Sequence, residues 1–406
     1  MISRSIRFVR QFEKNLWILS FGWFVSALGF AISIPFIAIY FHSTLGISLS
    51  GIGVFFGVNA LVRSVFQAIS GEVSDRMERR QLLIYSQLAR SVTFGVLAVC
   101  IANNWGFYPI AACLVVNSIL GAVFQPVANA MVADILPSAQ RLDGYAITRA
   151  AGNLGWAAGP ALGGFLAATS YSLLFVISAF ITLTSAIIFW ALLKDPDVEK
   201  TSERFQFRDV LAIKNDPHLA THCILIFLLY LVVAQLMAPF SVYTVDIIGI
   251  SETQLGYLYT LNGLMVVALQ IPVMHLLARA SFTQMLAWSG VIYAVGYGMV
   301  GFVAGFEYFV LAMIVVTTGE MMMSPPSLAL TSRLAPPGRM GRYMGIFGFF
   351  VASGWSFGPL YGGVILDHLG EHHALAWIII SSLALPSAIG YWIMSRKLPV
   401  KFNYRD

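Results

Sequence analysis

The chain has 406 residues, of which 58% are hydrophobic and only 11% charged, with a mean hydropathy of +0.78. A soluble domain carries about a quarter charged residues, so a water-soluble globular protein is excluded. The net charge of +5 makes no case for a nucleic-acid partner, because the basic residues are placed as a topology signal.

The apolar residues come in runs of about 20, the length that crosses a hydrocarbon core of roughly 30 Å. They predict spans at 15–40, 49–70, 81–102, 107–133, 142–166 and 171–193. A second set follows at 218–242, 253–276, 282–304, 307–333, 342–366 and 373–395. The N-terminus is basic and then apolar, but it lacks a small-residue cleavage site, so it reads as a retained first span. Of the 24 Lys and Arg residues, 21 fall at the termini or in the even-numbered connections, with Arg76, Arg79, Arg80, Arg141, Arg279 and Arg333 among them. The odd-numbered connections carry Asp246, Glu252, Glu307, Asp367 and Glu371 and no Lys or Arg. Positive charge near span ends stays cytoplasmic, which predicts that both termini are inside.

The two sets of spans repeat one another. Gly46, Gly53, Asn59, Gln67 and Arg76 recur 203 positions later as Gly249, Gly256, Asn262, Gln270 and Arg279. At an offset of 199, Pro126, Gly155, Gly159, Pro160, Gly163 and Gly164 recur as Pro325, Gly354, Gly358, Pro359, Gly362 and Gly363. This predicts an all-α membrane protein of two six-helix halves, 1–193 and 218–406. Parallel repeats are a transporter device, with the substrate held between the halves. The connection 194–217 is the longest polar stretch, and 205–213 within it reads either as an amphipathic helix at the inner surface or as a plain tether.

Two segments carry recognisable patterns. After the second span comes Gly71-Glu72-Val73-Ser74-Asp75-Arg76-Met77-Glu78-Arg79-Arg80, where the aspartate can face a helix N-terminus. In spans five and eleven, Gly155, Gly159, Gly163 and Gly164 and their counterparts Gly354 to Gly363 present small residues for close helix packing, with Pro160 and Pro359 inside the pattern. With these residues the chain resembles the major facilitator superfamily over essentially its whole length. The span-five pattern is similar to that of its proton-driven drug antiporters. The resemblance implies two bundles rocking about a central cavity, with Asp75 locking the outward-facing state and Gly71, Arg76 and Arg80 supporting it. Three positions depart from the family pattern. Glu78 stands at a usual glycine, Asn117 stands where many proton antiporters carry an arginine, and span one has no carboxylate.

Ionisable residues inside spans are costly and usually face a cavity or a partner. Arg63, Arg90, Arg149 and Glu320 are the deep ones. Glu320 is the expected proton carrier, with a structural helix–helix bridge as the competing reading. Below it, Ser324, Ser327 and Thr331 continue a polar stripe. Asn59, Arg63 and Gln67 form another on span two, mirrored by Asn262 and Gln270 on span eight, while span four adds Asn117, Gln125 and Asn129. These and Ser324 are expected to line the cavity, with an interhelical bridge as the equal alternative for Arg63, and Arg90 and Arg149 are expected to bridge helices. Met321, Met322 and Met323 read as packing.

Cys100, Cys113 and Cys223 lack paired spacing, and the outer run from Asp367 to His373 reads as a polar turn ahead of a metal site. His218 and His222 read the same way. No nucleotide-binding or hydrolase motif is present, so neither an enzyme nor a cofactor is expected. The expected function is proton-coupled export of amphipathic small molecules by a monomer in a bacterial inner membrane. The alternatives are a carrier of an anionic or zwitterionic solute, suggested by three arginines against one glutamate, and a non-transporting sensor.

Overall fold

The computed structural model describes residues 12–74, 78–137, 140–195, 216–302, 305–335 and 340–404. The protein is an all-α integral membrane protein. In the hydrocarbon layer no water is available to the backbone, so an isolated segment must satisfy its own N–H and C=O groups as a helix. Long helices fall at the predicted places: Leu49–Ser74, Arg79–Ala102, Phe107–Ile135, Arg141–Ala167 and Tyr171–Leu192 for spans two to six. Spans eight to eleven are Glu252–Leu276, Phe282–Val300, Phe306–Leu334 and Met340–Leu369. Ten segments of the described chain are long and apolar enough to cross a membrane; Arg141–Ala167 and Phe282–Val300 are helical but outside that group. Helix starts coincide with polar caps. Ser251 and Ser281 form capping boxes with Gln254 and Gln284, and Asp216 caps span seven just before Pro217.

Spans one, seven and twelve, expected as continuous helices, are interrupted. Span one runs Lys14–Ala31, then Ile34–Ile39, then a π-helical turn Tyr40–Thr44. Span seven runs Pro217–Val233, a 3-10 turn Ala234–Leu236, Pro239–Val242 and a π-helical turn Tyr243–Ile247. Span twelve breaks between Ser382 and Ala384. Proline explains each break, because it has no N–H for the carbonyl four residues back and its ring crowds that carbonyl. Pro35, Pro239 and Pro386 leave Ala31, Gln235 and Ser382 in that position. Both π-helical turns end at a glycine in the left-handed region, Gly46 (φ 67°) and Gly249 (φ 84°), a conformation that penalises any side chain. The repeat thus extends to irregular backbone.

The chain forms two compact units, each described separately. Unit one comprises Met1–Ile37 and Leu61–Arg204. In it, span five lies directly against span one: a Cβ at Gly155 would be 2.6 Å from the Phe24 carbonyl oxygen, at Gly159 2.5 Å from the Ala31 Cβ, and at Gly163 2.1 Å from the Ile32 oxygen. An apolar cluster of Leu16, Leu83, Phe124, Met131 and Phe189 fills one end. Beside it, Asn15 and Lys194 exchange two hydrogen bonds (3.2 and 3.3 Å), and Arg79 pairs with Asp134 at 2.9 Å.

Unit two comprises Ala38–Ala60 and Phe205–Asp406. The same packing recurs here between spans eleven and seven. A Cβ at Gly354 would meet the Tyr230 Cβ at 2.4 Å, and one at Gly358 the Ala234 Cβ at 2.5 Å. Gln235, fully buried at the span-seven break, donates to the Leu231 and Gly358 carbonyls (2.7 and 2.8 Å). The N-terminal end of span two packs on span eleven: a Cβ at Gly53 would lie 2.4 Å from the Leu360 Cα, and one at Gly363 2.4 Å from the Leu49 oxygen. Asp367 closes this contact by accepting from the Leu49 and Ser50 backbone N–H groups at 3.1 and 2.7 Å. Asp367 therefore caps the N-terminus of span two, where the helix dipole favours a negative charge.

Gly163→Ala is expected to lower the melting temperature in detergent by several degrees, overpacking costing about 1–3 kcal/mol. Gly95→Ala, with nothing within 4 Å of the added Cβ, is expected to leave it unchanged or slightly raised.

Candidate functional site

Glu320 is the deepest carboxylate among the described residues, in the middle of span ten. Its Oε2 accepts a 2.8 Å hydrogen bond from Asn262 Nδ2 on span eight, and the same amide nitrogen donates to Thr317 Oγ1 at 3.0 Å. Thr317 in turn donates to the Met313 carbonyl (2.7 Å). The structure thus brings together two residues that the sequence placed on separate stripes. Gln270, one face further along span eight, donates to the Met321 carbonyl at 3.0 Å. That carbonyl lies four residues before Pro325, which has no N–H to offer it, so Gln270 fills a vacancy that proline creates. Met321, Met322 and Met323 are buried and pack in the core.

Tyr293 and Tyr297 of span nine lie within electrostatic range of Glu320. Their rings stack at 6.1 Å, Tyr297 donates to the Val233 carbonyl (3.1 Å), and the buried Tyr293 hydroxyl has no partner. The sequence reading did not single them out. The available signal was two tyrosines spaced i, i+4 around Gly296 on an otherwise apolar helix.

The stripe below Glu320 leads to His222. Ser327 donates to the Ser324 carbonyl and Thr331 to the Ser327 carbonyl. His222 Nε2 lies 3.1 Å from both the Ser327 carbonyl and Thr331 Oγ1, and Nδ1 lies 2.9 Å from the Tyr391 hydroxyl. A carbonyl only accepts, so Nε2 carries the hydrogen and Nδ1 accepts from Tyr391. Stacking on Phe347 at 5.4 Å completes the enclosure of a fully buried imidazole.

In unit one, Arg90 of span three is buried at the meeting of spans one and four. Its Nε reaches Asn117 Oδ1 (3.5 Å) and its NH1 reaches Ser26 Oγ (3.4 Å), while Phe30 and Phe94 present their rings at 5.4 and 5.9 Å. Asn117 also ties itself to the Arg90 carbonyl (3.2 Å) and Thr93 (2.7 Å). The position where the family pattern has an arginine therefore holds one delivered from the neighbouring helix. Arg63 is half-buried on span two and close enough to Arg90 for the two charges to repel. Gln67 is half-buried, while Gln125 and Arg149 are exposed. Asn59 belongs to unit two, and its Oδ1 is buried with no partner.

Of the expected gating residues, Asp75 and Arg76 lie outside the described residues, as does the 205–213 segment. Gly71 lies in the span-two helix. Arg80 donates from its backbone to Asp195 (3.1 Å) and from its side chain to the Trp190 carbonyl, joining the start of span three to the end of span six.

The model of the Major Facilitator Superfamily matches residues 19–359 and again 223–403. The chain belongs to this family. Its relatives include the quinolone resistance protein NorA of Staphylococcus aureus, 25% identical over 87% of this chain and 90% of NorA. The uncharacterized MFS-type transporter YttB of Bacillus subtilis is 28% identical over 88% of this chain and 89% of its own length. Among solved structures, the nucleoside transporter NupG superposes with a TM-score of 0.79 at 13% identity, covering 95% of this chain and all (100%) of NupG. A bacterial homologue of the lysosomal transporter Spinster gives 0.78 at 12%, over 96% and 98% of the two chains. These last two likenesses concern the fold.

Removing Asn262 would leave a half-buried carboxylate without its donor, at a cost of about 1 kcal/mol. Asn262→Leu is expected to melt several degrees below wild type at pH 8, and the added change Glu320→Gln to restore most of the loss. A double variant no more stable than the single one would show that Asn262 does not serve Glu320.

Proposed function

We propose that this chain is a proton-coupled secondary transporter that exports amphipathic small molecules by alternating access, with Glu320 as the proton carrier. The observation that carries the reading is the deep Glu320–Asn262 pair. An ionised Glu320 accepts from Asn262 at 2.8 Å as a charge-assisted bond, whereas protonation keeps an acceptor oxygen but weakens that bond and adds an O–H that needs an acceptor of its own. Gain and loss of one proton therefore changes a contact between spans eight and ten. Coupling requires that proton and substrate bias the same conformational equilibrium in opposite senses. The likeness to NorA, a quinolone resistance protein, supports export of drug-like amphiphiles. On this reading Arg63 of unit one contacts the cargo, Asp75 with Arg76 and Arg80 secures one gate, and the Asp367 cap secures the other. The chain acts as a monomer in a bacterial inner membrane with both termini inside.

The test is transport in proteoliposomes under an imposed pH gradient, with ethidium and NBD-labelled dodecanoate as cargo. Wild type is expected to accumulate at least one of them against its gradient. Glu320→Gln is expected to lose gradient-driven accumulation at least tenfold while still passing cargo downhill. Accumulation unchanged in Glu320→Gln would remove Glu320 from the coupling step.

A further inference from the structure

The charges within unit one do not balance. Arg63 and Arg90 both lie far from the helix ends of spans two and three. Among the described residues neither makes an ion pair, the recorded one being Arg79 with Asp134. The acids of this unit whose side chains are described sit at helix ends: Glu13 and Glu78 precede spans one and three, Asp134 is next to last in span four, and Asp195 follows span six.

Arg90 is fully buried, yet its two hydrogen bonds, at 3.4 and 3.5 Å, are long and go to neutral oxygens. Charge-assisted bonds run at about 2.7–2.9 Å, so the guanidinium is held in place without being neutralised. Its place is built for it, because a Cβ at Gly121 would come within 3.4 Å of the guanidinium carbon. Beside it, Gln87 is also fully buried; its Oε1 accepts from Ser26 (3.1 Å) while its Nε2 has no partner. The acceptors around Arg90 are neutral oxygens only, and a buried amide nitrogen is left over as a further donor. Two like charges in such surroundings are costly unless something compensates them.

We propose that Arg63 and Arg90 form the receptor for an anionic group, a carboxylate, phosphate or sulfonate, on the transported amphiphile. The inference rests on the transport function and specifies the charge of the cargo. Half-buried Arg63 is the residue that touches the anion. Arg90, beneath it, is a positioning residue that supplies an unopposed positive field and holds span three to spans one and four. An anion arriving here removes the repulsion between the two arginines, so binding is favoured by the destabilisation present in the empty protein.

The test is equilibrium binding of NBD-dodecanoate and its uncharged methyl ester to the full chain in neutral detergent. Wild type is expected to bind the acid at least tenfold more tightly than the ester. Arg63→Gln and Arg90→Gln are expected to bring that ratio close to one, Arg63→Lys to keep part of it, and Gly95→Ala to leave it intact. A second reading needs no ligand: Arg63→Gln is expected to raise the melting temperature of the empty protein by relieving the repulsion. Equal binding of acid and ester by wild type would overturn the proposal, as would a fall in melting temperature for Arg63→Gln, which would reveal a structural partner. Displacement of the acid by phosphatidylglycerol at lower concentration would assign the site to a resident lipid and remove it from the cargo path. Ester transport driven by the pH gradient, without preference for the acid, would sink the anion site and leave the exporter intact. Preference for the acid with no movement of either compound would do the reverse.

Discussion

Everything in this protein is shaped by the absence of water in the hydrocarbon layer. A backbone carbonyl released by a proline, or a polar side chain placed at mid-depth, must find its partner within the protein or remain an expensive orphan. The structure is consistent in how it answers. Gln270 takes the Met321 carbonyl released by Pro325, Gln235 takes two carbonyls at the broken stretch of span seven, and Asp367 takes two N–H groups at the start of span two. Where partners run short, at Glu320 with its Asn262 bond and at Arg90 with its long neutral bonds, the shortage marks the groups proposed to act on cargo and proton.

The glycine stripes serve the same economy by another route. In lipid no hydrophobic force drives one helix onto another, and close backbone approach with its dispersion contacts does that work. Gly155, Gly159 and Gly163 bring span five onto span one, and Gly354 and Gly358 bring span eleven onto span seven. The two copies have since diverged in charge. Asn262 keeps the polar character of Asn59, but Val266 stands where span two has Arg63. The deep cations fall in one copy and the deep carboxylate in the other. That division suits a carrier that must handle an anionic cargo group and a proton with separate residues.

Much of this was legible in the sequence. Apolar runs and the 203 and 199 offsets placed the helices within a few residues, because length and burial are one-dimensional properties of a membrane span. The Asn262 and Glu320 stripes were likewise visible, since helical spacing puts them on a face. What could not be read was which face meets which. That Asn262 points at Glu320, that Arg90 occupies the Asn117 position from another helix, and that His222 is enclosed by Ser327, Thr331 and Tyr391 all depend on helix rotation, on which the sequence is silent. The broken spans were missed for a different reason. Pro35, Pro239 and Pro386 sit in strongly apolar runs, and hydropathy alone counts such runs as continuous.

The central claim is that Glu320 gives up a proton as cargo binds, and direct proton counting tests it most closely. Purified protein in detergent, weakly buffered with a pH-sensitive dye, would be titrated with whichever of ethidium or NBD-dodecanoate it binds. The account predicts release of about one proton per bound molecule by wild type and none by Glu320→Gln, with binding itself retained. Equal proton release by the two proteins would place the coupling group elsewhere and leave Glu320 as a bridge between spans eight and ten.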